Sequence, residues 1–266
     1  MNDYLEVAVE IARETGAMLR TAFERPKTIS YKGEVDLVTE SDRRAEAMII
    51  AKLRKYFPDH DIVAEEGTGT TSGAKYCWHV DPLDGTTNFA HGYPCFAVSL
   101  GLLEEGEPLV GVVFDPMRDE LFTGARGEGA HLNGKPMRVS NVKALAQSLV
   151  ATGFPTHQRK NSANMAYYWE FTLRTHGVRR DGSAALDLCS VAAGRFEGFW
   201  EFRLSSWDTA AGILLVREAG GTVTELDGQR FMAGGVAMVA SNGHIHEEMR
   251  QALQSVTDRV APAPSK

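Results

Sequence analysis

The sequence predicts a mixed α/β fold built in alternating layers of helix and strand rather than a doubly wound sheet. Three observations lead there: two amphipathic helical patterns open the chain, a run of short strands joined by tight turns follows, and the remainder alternates between helix and strand. With 266 residues, 43% of them hydrophobic, the chain can bury a large core, and no Pro/Ser/Gly-rich linker divides it. One compact unit over residues 1–266 is expected, with an α+β half at residues 1–145 and an α/β half at residues 146–266.

The elements follow in order. Tyr4, Leu5, Ala8, Ile11, Ala12, Leu19 and Phe23 recur at helical spacing behind Asp3, which reads as an N-cap with Glu6 in the capping-box position. Pro26 ends that helix because it has no N–H to donate. A second helix is predicted to start near Ser41 or Asp42, to turn Ala45, Met48, Ile49 and Leu53 toward the core, and to stop at Pro58. A carboxylate at Asp42 is favoured by the helix dipole, so a simple cap and a functional role account for it equally well. Residues 62–65 read as a strand delivering Glu65 and Glu66 to a mobile, solvent-facing loop rich in Gly and Thr. Residues 96–103, 109–114 and 120–123 read as consecutive strands, and Asn133-Gly134 marks a further hairpin.

In the second half, residues 149–151 read as a strand, 161–175 as a helix, and 195–201 as a strand reached from a helix beginning at Gly182-Ser183-Ala184. Asp208 opens an apolar helix closed by Gly220-Gly221. Residues 236–240 form a last core strand before a surface helix and a frayed tail.

Charge and cysteines narrow the function. A formal charge of −7 suits neither nucleic acid nor an anionic membrane, yet it does not exclude a phosphate substrate, because bound cations reverse the local sign of a site. Cys77, Cys95 and Cys189 have no C-x-x-C spacing and read as free thiols in a reducing cytoplasm. No apolar run reaches membrane-spanning length, and a cytoplasmic protein is expected.

The most informative stretch is His79-Val80-Asp81-Pro82-Leu83-Asp84-Gly85-Thr86-Thr87-Asn88-Phe89. Trp78 to Val80 read as the end of a buried strand, which Pro82 bars from regular continuation. Asp81 and Asp84 then turn toward one point, where two carboxylates and the Leu83 carbonyl suit a hard divalent ion. Gly85 allows close backbone approach, and the N–H groups of Gly85 and Thr86 suit an anion. A capped Asp-Pro turn explains a bare D-P-x-D string but not the whole stretch.

Here the chain resembles the inositol monophosphatase family of metal-dependent phosphatases, closely its bacterial members. The likeness covers nearly the whole length: residues 36–39 with Asp42, residues 64–67, the central string, residues 182–185 and residues 207–212 appear in the family's order. The resemblance implies a five-layer α-β-α-β-α sandwich, a homodimer, and hydrolysis of inositol-1-phosphate with two or three Mg²⁺ ions, inhibited by Li⁺. Fructose-1,6-bisphosphate, histidinol phosphate, NADP or a nucleotide phosphate are alternative substrates, and a regulatory binding protein that has kept the fold is the alternative of another class.

Carried over residue by residue, the resemblance makes Glu65, Asp81, Asp84, Asp208 and the Leu83 carbonyl metal ligands. It makes Thr86, paired with Asp42 and assisted by Glu65, the group that orients the attacking water. Asp84, Gly85, Thr86, Gly182, Ser183, Ala184, Glu201 and Asp208 are expected to meet substrate, and Lys32 reads either as a mobile basic contact or as a surface turn. The family pattern selects Glu65 over Glu66, and strand alternation predicts that only one of the two faces the site. His244 and His246 look like a metal pair but lack an acid cluster, and the glycines of residues 124–129 suit a hairpin better than a nucleotide loop. Tyr167, Tyr168, Trp169 and Phe171 are expected in the core or in oligomer contacts.

Overall fold

The computed structural model describes residues 2–25, 29–31, 37–154 and 164–260. The chain opens with α1 (Asn2–Phe23), the small hairpin β1 (Ile29–Tyr31) and β2 (Leu37–Thr39), then α2 (Glu40–Tyr56). Next come β3 (Asp61–Ala64), β4 (Tyr76–Asp84), the short α3 (Thr86–His91), β5 (Ala97–Glu104), β6 (Glu107–Asp115), β7 (Glu120–Ala125), β8 (Gly129–Leu132) and β9 (Lys135–Pro136). The second half holds β10 (Leu149–Thr152), α4 (Asn164–Arg174), β11 (Gly177–Arg179), α5 (Ala184–Ala192), β12 (Gly198–Phe202), α6 (Ser206–Glu218), β13 (Thr222–Thr224), β14 (Ala237–Ser241) and α7 (His246–Val260).

Five layers result. α1 and α2 cover one face of a seven-stranded sheet that runs in sequence order from β3 to β9. Beneath its other face lie α5 and α6, which also cover a five-stranded sheet of order β11-β10-β12-β14-β13. α4 and α7 close the far side through Tyr167, Phe171, Met249 and Leu253. Layering explains why β5 and β6 read as unbroken apolar runs: both faces of the large sheet are covered, so there is no polar side to alternate with.

α6 lies unusually deep against the large sheet. Gly101, Gly111 and Gly124 are cross-strand neighbours on β5, β6 and β7 and form a trough for it. A Cβ on Gly101 would stand 2.6 Å from Cβ of Ala210, and one on Gly111 2.8 Å from the carbonyl oxygen of Ala211.

The structure corrects several boundaries. α1 begins at Asn2, so Asp3 lies inside its first turn rather than capping it. α2 begins at Glu40, with Thr39 as N-cap and Asp42 at the third helical position. α6 likewise begins at Ser206, before Asp208. β4 does not stop at Pro82: it runs on to Asp84 through a register shift between Asp81 and Asp84, where a residue without an N–H costs no ladder bond. β12 starts at Gly198 rather than at 195, because the N–H groups of Arg195 and Phe196 both turn back to the Ser190 carbonyl. The three-residue strands β11 and β13 were not anticipated. Pro26 and residues 161–163 of the expected helix lie outside the described residues.

Two further expectations can be placed. Asn133 and Gly134, both at positive φ, turn β8 into β9, and residues 126–128 turn β7 into β8. Tyr167 and Phe171 are core residues, whereas Trp169 is 66% exposed. No helix among the described residues is long and apolar enough to cross a membrane.

Candidate active site

The bulge in β4 builds the first part of the site. By shifting register it brings Asp81 and Asp84 to the end of the large sheet, and Oδ1 of Asp81 accepts a 3.0 Å hydrogen bond from the N–H of Leu83. Gly85 follows in the left-handed region, φ 97°, pressed so close to the Cys95 carbonyl that a Cβ would stand 2.9 Å from it. That turn starts α3 and presents Thr86, whose hydroxyl donates to Oδ1 of Asp42 at 2.9 Å and lies 3.1 Å from the Leu83 carbonyl.

Asp42 belongs to a capping box and also meets Thr86. Its Oδ2 accepts from the Thr39 N–H at 2.8 Å and from the Thr39 hydroxyl, completing a capping box, while its Oδ1 faces Thr86. Asp208 repeats the device on α6: at the third helical position its Oδ2 accepts from the N–H of Ser205 at 2.7 Å.

Glu65 lies in the turn after β3, with its N–H on the Val80 carbonyl. Because Glu65 and Glu66 both fall beyond the strand, alternation does not decide between them; of the two, Glu65 lines the cavity. A residue missed in the sequence orders this turn. Glu46 of α2 is 1% exposed and accepts from the N–H groups of Glu66 (2.7 Å) and Thr68 (3.1 Å) and from the Thr68 hydroxyl (2.6 Å). Asp61 does the same for Ser72, Gly73 and Ala74, so the loop expected to be mobile is tied at both ends.

One cavity gathers Glu65, Asp84, Gly85, Thr86, Gly182, Ser183, Ala184, Glu201 and Asp208, with Asp81, Leu83 and Asp42 buried behind. Lys32 lies outside the described residues. Ser183 caps α5 and donates to Oδ2 of Asp84 at 2.5 Å, and the Ala185 N–H reaches the same oxygen at 2.8 Å, which ties the end of the large sheet to the middle helices. Asn88 donates to the Asp181 and Cys95 carbonyls at 2.7 and 2.8 Å and so fixes the loop carrying Gly182. Gly153, Arg180 and Asp187 also line the cavity, and the sequence reading singled out none of them.

Electrostatics mark the same place. Burial, reinforced by Glu65, Asp84 and Asp208, holds the Asp81 carboxyl well above its ordinary value. Burial lifts Asp84 to about 6, with Ser183 and Ala185 opposing, and lifts Asp208 to about 8 with the help of Asp84. Glu201 is raised to about 8 by burial and by Asp208 and Asp84. Acids assembled at this cost call for a positive charge.

The donor set fits hard divalent cations: four carboxylates and a carbonyl converge, while the nearby His79 is engaged with the Ser206 hydroxyl at 2.8 Å. No ready-made cage of three or more His, Cys, Asp or Glu side chains is present among the described residues. Asp81, Asp84 and Asp208 also accept from the backbone N–H groups of Leu83, Ala185 and Ser205.

Comparison with known proteins agrees with this geometry. The sequence profile of the Inositol monophosphatase family matches residues 1–258. An inositol-1-monophosphatase of Synechocystis is 46% identical over 95% of this chain and 89% of its own length. A protein of Pseudomonas aeruginosa named Nus factor SuhB is 45% identical over 96% of this chain and 97% of its own. The solved structure of an inositol monophosphatase from Anabaena superposes with a TM-score of 0.87 at 42% identity, covering 96% of both chains. A profile match of that span, with relatives above 40% identity along almost the whole chain, shows that this chain belongs to the inositol monophosphatase family, an enzyme family of metal-dependent phosphatases.

Proposed function

We propose that the protein is a Mg²⁺-dependent phosphomonoesterase that hydrolyses inositol-1-phosphate to myo-inositol and phosphate. The observation carrying this reading is the meeting of Glu65, Asp84 and Asp208 at one cavity, over buried Asp81 and the Thr86–Asp42 pair. Glu65, Asp81, Asp84, Asp208 and the Leu83 carbonyl would hold two or three Mg²⁺. When bound, such cations acidify a water and neutralise the charge on the phosphate and the departing alkoxide.

The chain supplies position. The Thr86 hydroxyl commits its proton to Asp42, which leaves its lone pairs to orient the attacking water; without Asp42 a threonine is far too weak a base for the task. The backbone of Gly85 and Thr86 would face the phosphate, so that water, phosphorus and leaving oxygen fall in line. At the other end Glu201, with Gly182, Ser183 and Ala184, would receive the ring hydroxyls.

The test is phosphate release from inositol-1-phosphate, fructose-1,6-bisphosphate, histidinol phosphate and NADP, with Mg²⁺ present or chelated and Li⁺ varied. Inositol-1-phosphate should lead, chelation should abolish turnover, and Li⁺ inhibition should deepen as substrate is raised. A different leading substrate overturns the substrate assignment, and activity that survives chelation overturns the role of Mg²⁺.

A second reading, favoured by the name of the Pseudomonas relative, is a role as a Nus factor. The enzymatic reading ranks first because every carboxylate and the Thr86–Asp42 pair are present. The protein is further proposed to act as a single unit over residues 1–266, with α5 and α6 shared by both sheets, and as a cytoplasmic homodimer. Three free thiols support the compartment, and exposed Met165, Trp169 and Leu173, on one face of α4, support a second copy as the partner.

A further inference from the structure

A buried glutamate on α2 has no part in the cavity wall and yet is fully engaged. Glu46 lies in the buried stripe of the helix with Ala45, Ile49 and Leu53. A carboxylate in such a place is costly unless donors meet it. Its Oε2 accepts from the Glu66 N–H at 2.7 Å, and its Oε1 from the N–H (3.1 Å) and the hydroxyl (2.6 Å) of Thr68. Both oxygens are spent on the turn that follows Glu65.

That turn is closed from several sides. Glu65 gives its own N–H to the Val80 carbonyl at 3.2 Å, Gly67 returns to the Ala64 carbonyl at 3.2 Å, and the Ile62 N–H reaches the Thr70 carbonyl at 2.9 Å. Gly69 is pressed onto β3 so tightly that a Cβ would stand 2.2 Å from the Ile62 carbonyl oxygen. Arg54, about two turns past Glu46 on the same helix, donates to the Thr68 carbonyl at 3.3 Å. One turn before Glu46 comes Asp42, equally buried, which takes the Thr86 hydroxyl at 2.9 Å. Residues four apart share a helix face, so α2 grips the Thr86 side and the Glu65 side of the cavity with two neighbouring carboxylates.

We propose that Glu46 is a positioning residue for Glu65: by fixing residues 66–68 against α2 it sets where Glu65 stands relative to the Thr86–Asp42 pair, and so how tightly the site takes a divalent cation. The inference rests on Glu65 being a metal ligand, as proposed above, and adds the residue that aims it. Outer partners of this kind govern metal affinity by about 10- to 100-fold. In Glu46→Gln one acceptor oxygen becomes an NH₂ group facing an N–H, so either Glu66 or Thr68 loses its acceptor and the turn is free to shift.

The experiment is calorimetric Mg²⁺ titration, with denaturant midpoints alongside, of wild type, Glu46→Gln, Thr68→Val, Asp61→Asn, Glu65→Gln, and the first two variants each combined with Glu65→Gln. Glu46→Gln should weaken Mg²⁺ binding about tenfold or more. Thr68→Val, which removes one donor of the three, should weaken it by about threefold. Neither should weaken it further once Glu65→Gln is in place, because a residue that acts through another is silent in its absence. Asp61→Asn loosens the far end of the same loop and should lower the denaturant midpoint without changing Mg²⁺ affinity. Should Glu46→Gln not fold, Thr68→Val decides on the same terms. Unchanged Mg²⁺ affinity, additive losses in the double variants, or an equal loss in Asp61→Asn overturns the positioning role while Glu65 stands as a ligand. If Glu65→Gln binds Mg²⁺ as wild type does, the ligand assignment falls and the proposal falls with it.

Discussion

The two ends of the cavity are built on opposite plans. At the end proposed for the phosphate every aspartate is tied to its own neighbourhood: Asp81 to the Leu83 N–H, Asp208 to Ser205, Asp42 to Thr39 and Thr86, and Asp84 to Ser183 and Ala185. At the opposite end Asp187 and Glu201 are buried just as deeply and take no hydrogen bond from any described residue. Groups that must keep one geometry through every turnover are pinned by the backbone that carries them. Groups that wait for a ligand's donors keep their lone pairs open.

That contrast can be broken at several levels. The largest effect belongs to the pinned end. Asp84→Asn is expected to lower kcat by about 10²–10³-fold, the usual loss for a group that stabilises charge in the transition state, in a protein that remains folded. Steady-state kinetics at saturating Mg²⁺ check it; near wild-type kcat would mean that the pinned acids are structural.

A smaller effect separates adjacent residues. Glu65→Gln should weaken Mg²⁺ binding about tenfold or more, while Glu66→Gln, whose backbone N–H is held by Glu46 and whose side chain is absent from the cavity wall, should change it little. Calorimetric Mg²⁺ titration of both variants decides the matter, and the reverse ranking would place the ligand one residue further on.

The smallest effect lies outside the cavity and keeps activity apart from stability. His246 is wedged under the small sheet with its two ring nitrogens on the Ser241 and Thr224 hydroxyls, each at 2.9 Å. Burial, helped by Arg250, lowers its pKa to about 4. The unfolded imidazole takes a proton near pH 6.5, and the folded one waits until about 4, so the stabilisation is complete above 6.5 and is lost as pH falls through that window. The slope is at most about 1.4 kcal/mol per pH unit. Denaturant midpoints at pH 7 and pH 5 should drop in wild type and drop less in His246→Gln; equal drops would put the acid sensitivity elsewhere.

How much of this could be read in the sequence depended on distance along the chain. Asp81, Asp84, Gly85 and Thr86 form one short string, while Asp42 and Asp208 sit in helix starts with their own local grammar; these residues stand where the pattern put them. Even there, the fine placement was off by a residue or two, because a capping box puts its acid at the third helical position and not at the cap. Pro82 misled for a different reason: a bulge tolerates what a regular strand forbids.

Asn88, Glu46, Gly153 and Asp187 escaped because their meaning is a contact. Asn88 acts on Asp181, 93 residues away, and Glu46 acts on a loop 20 residues on. Asp187 looks like any polar residue in an apolar helix until the opposite sheet brings Glu201 beside it. β11 and β13, three residues each, are too short to show a period of two.

Asp81 and Asp208 ride on different layers, so the gap between them is a thickness, and the trough of Gly101 and Gly111 under α6 is what sets it. An octahedral cation with ligands at about 2.1 Å tolerates little error in such a gap. A methyl group in that trough would have to lift the helix, and the helix carries Asp208 with it. Under the proposed reading the two glycines work as a spacing gauge, setting the depth at which α6 carries Asp208 past the large sheet. A side chain at either position would strain the fold as well, because it would meet the backbone of α6 and, at Gly101, the Cβ of Ala210.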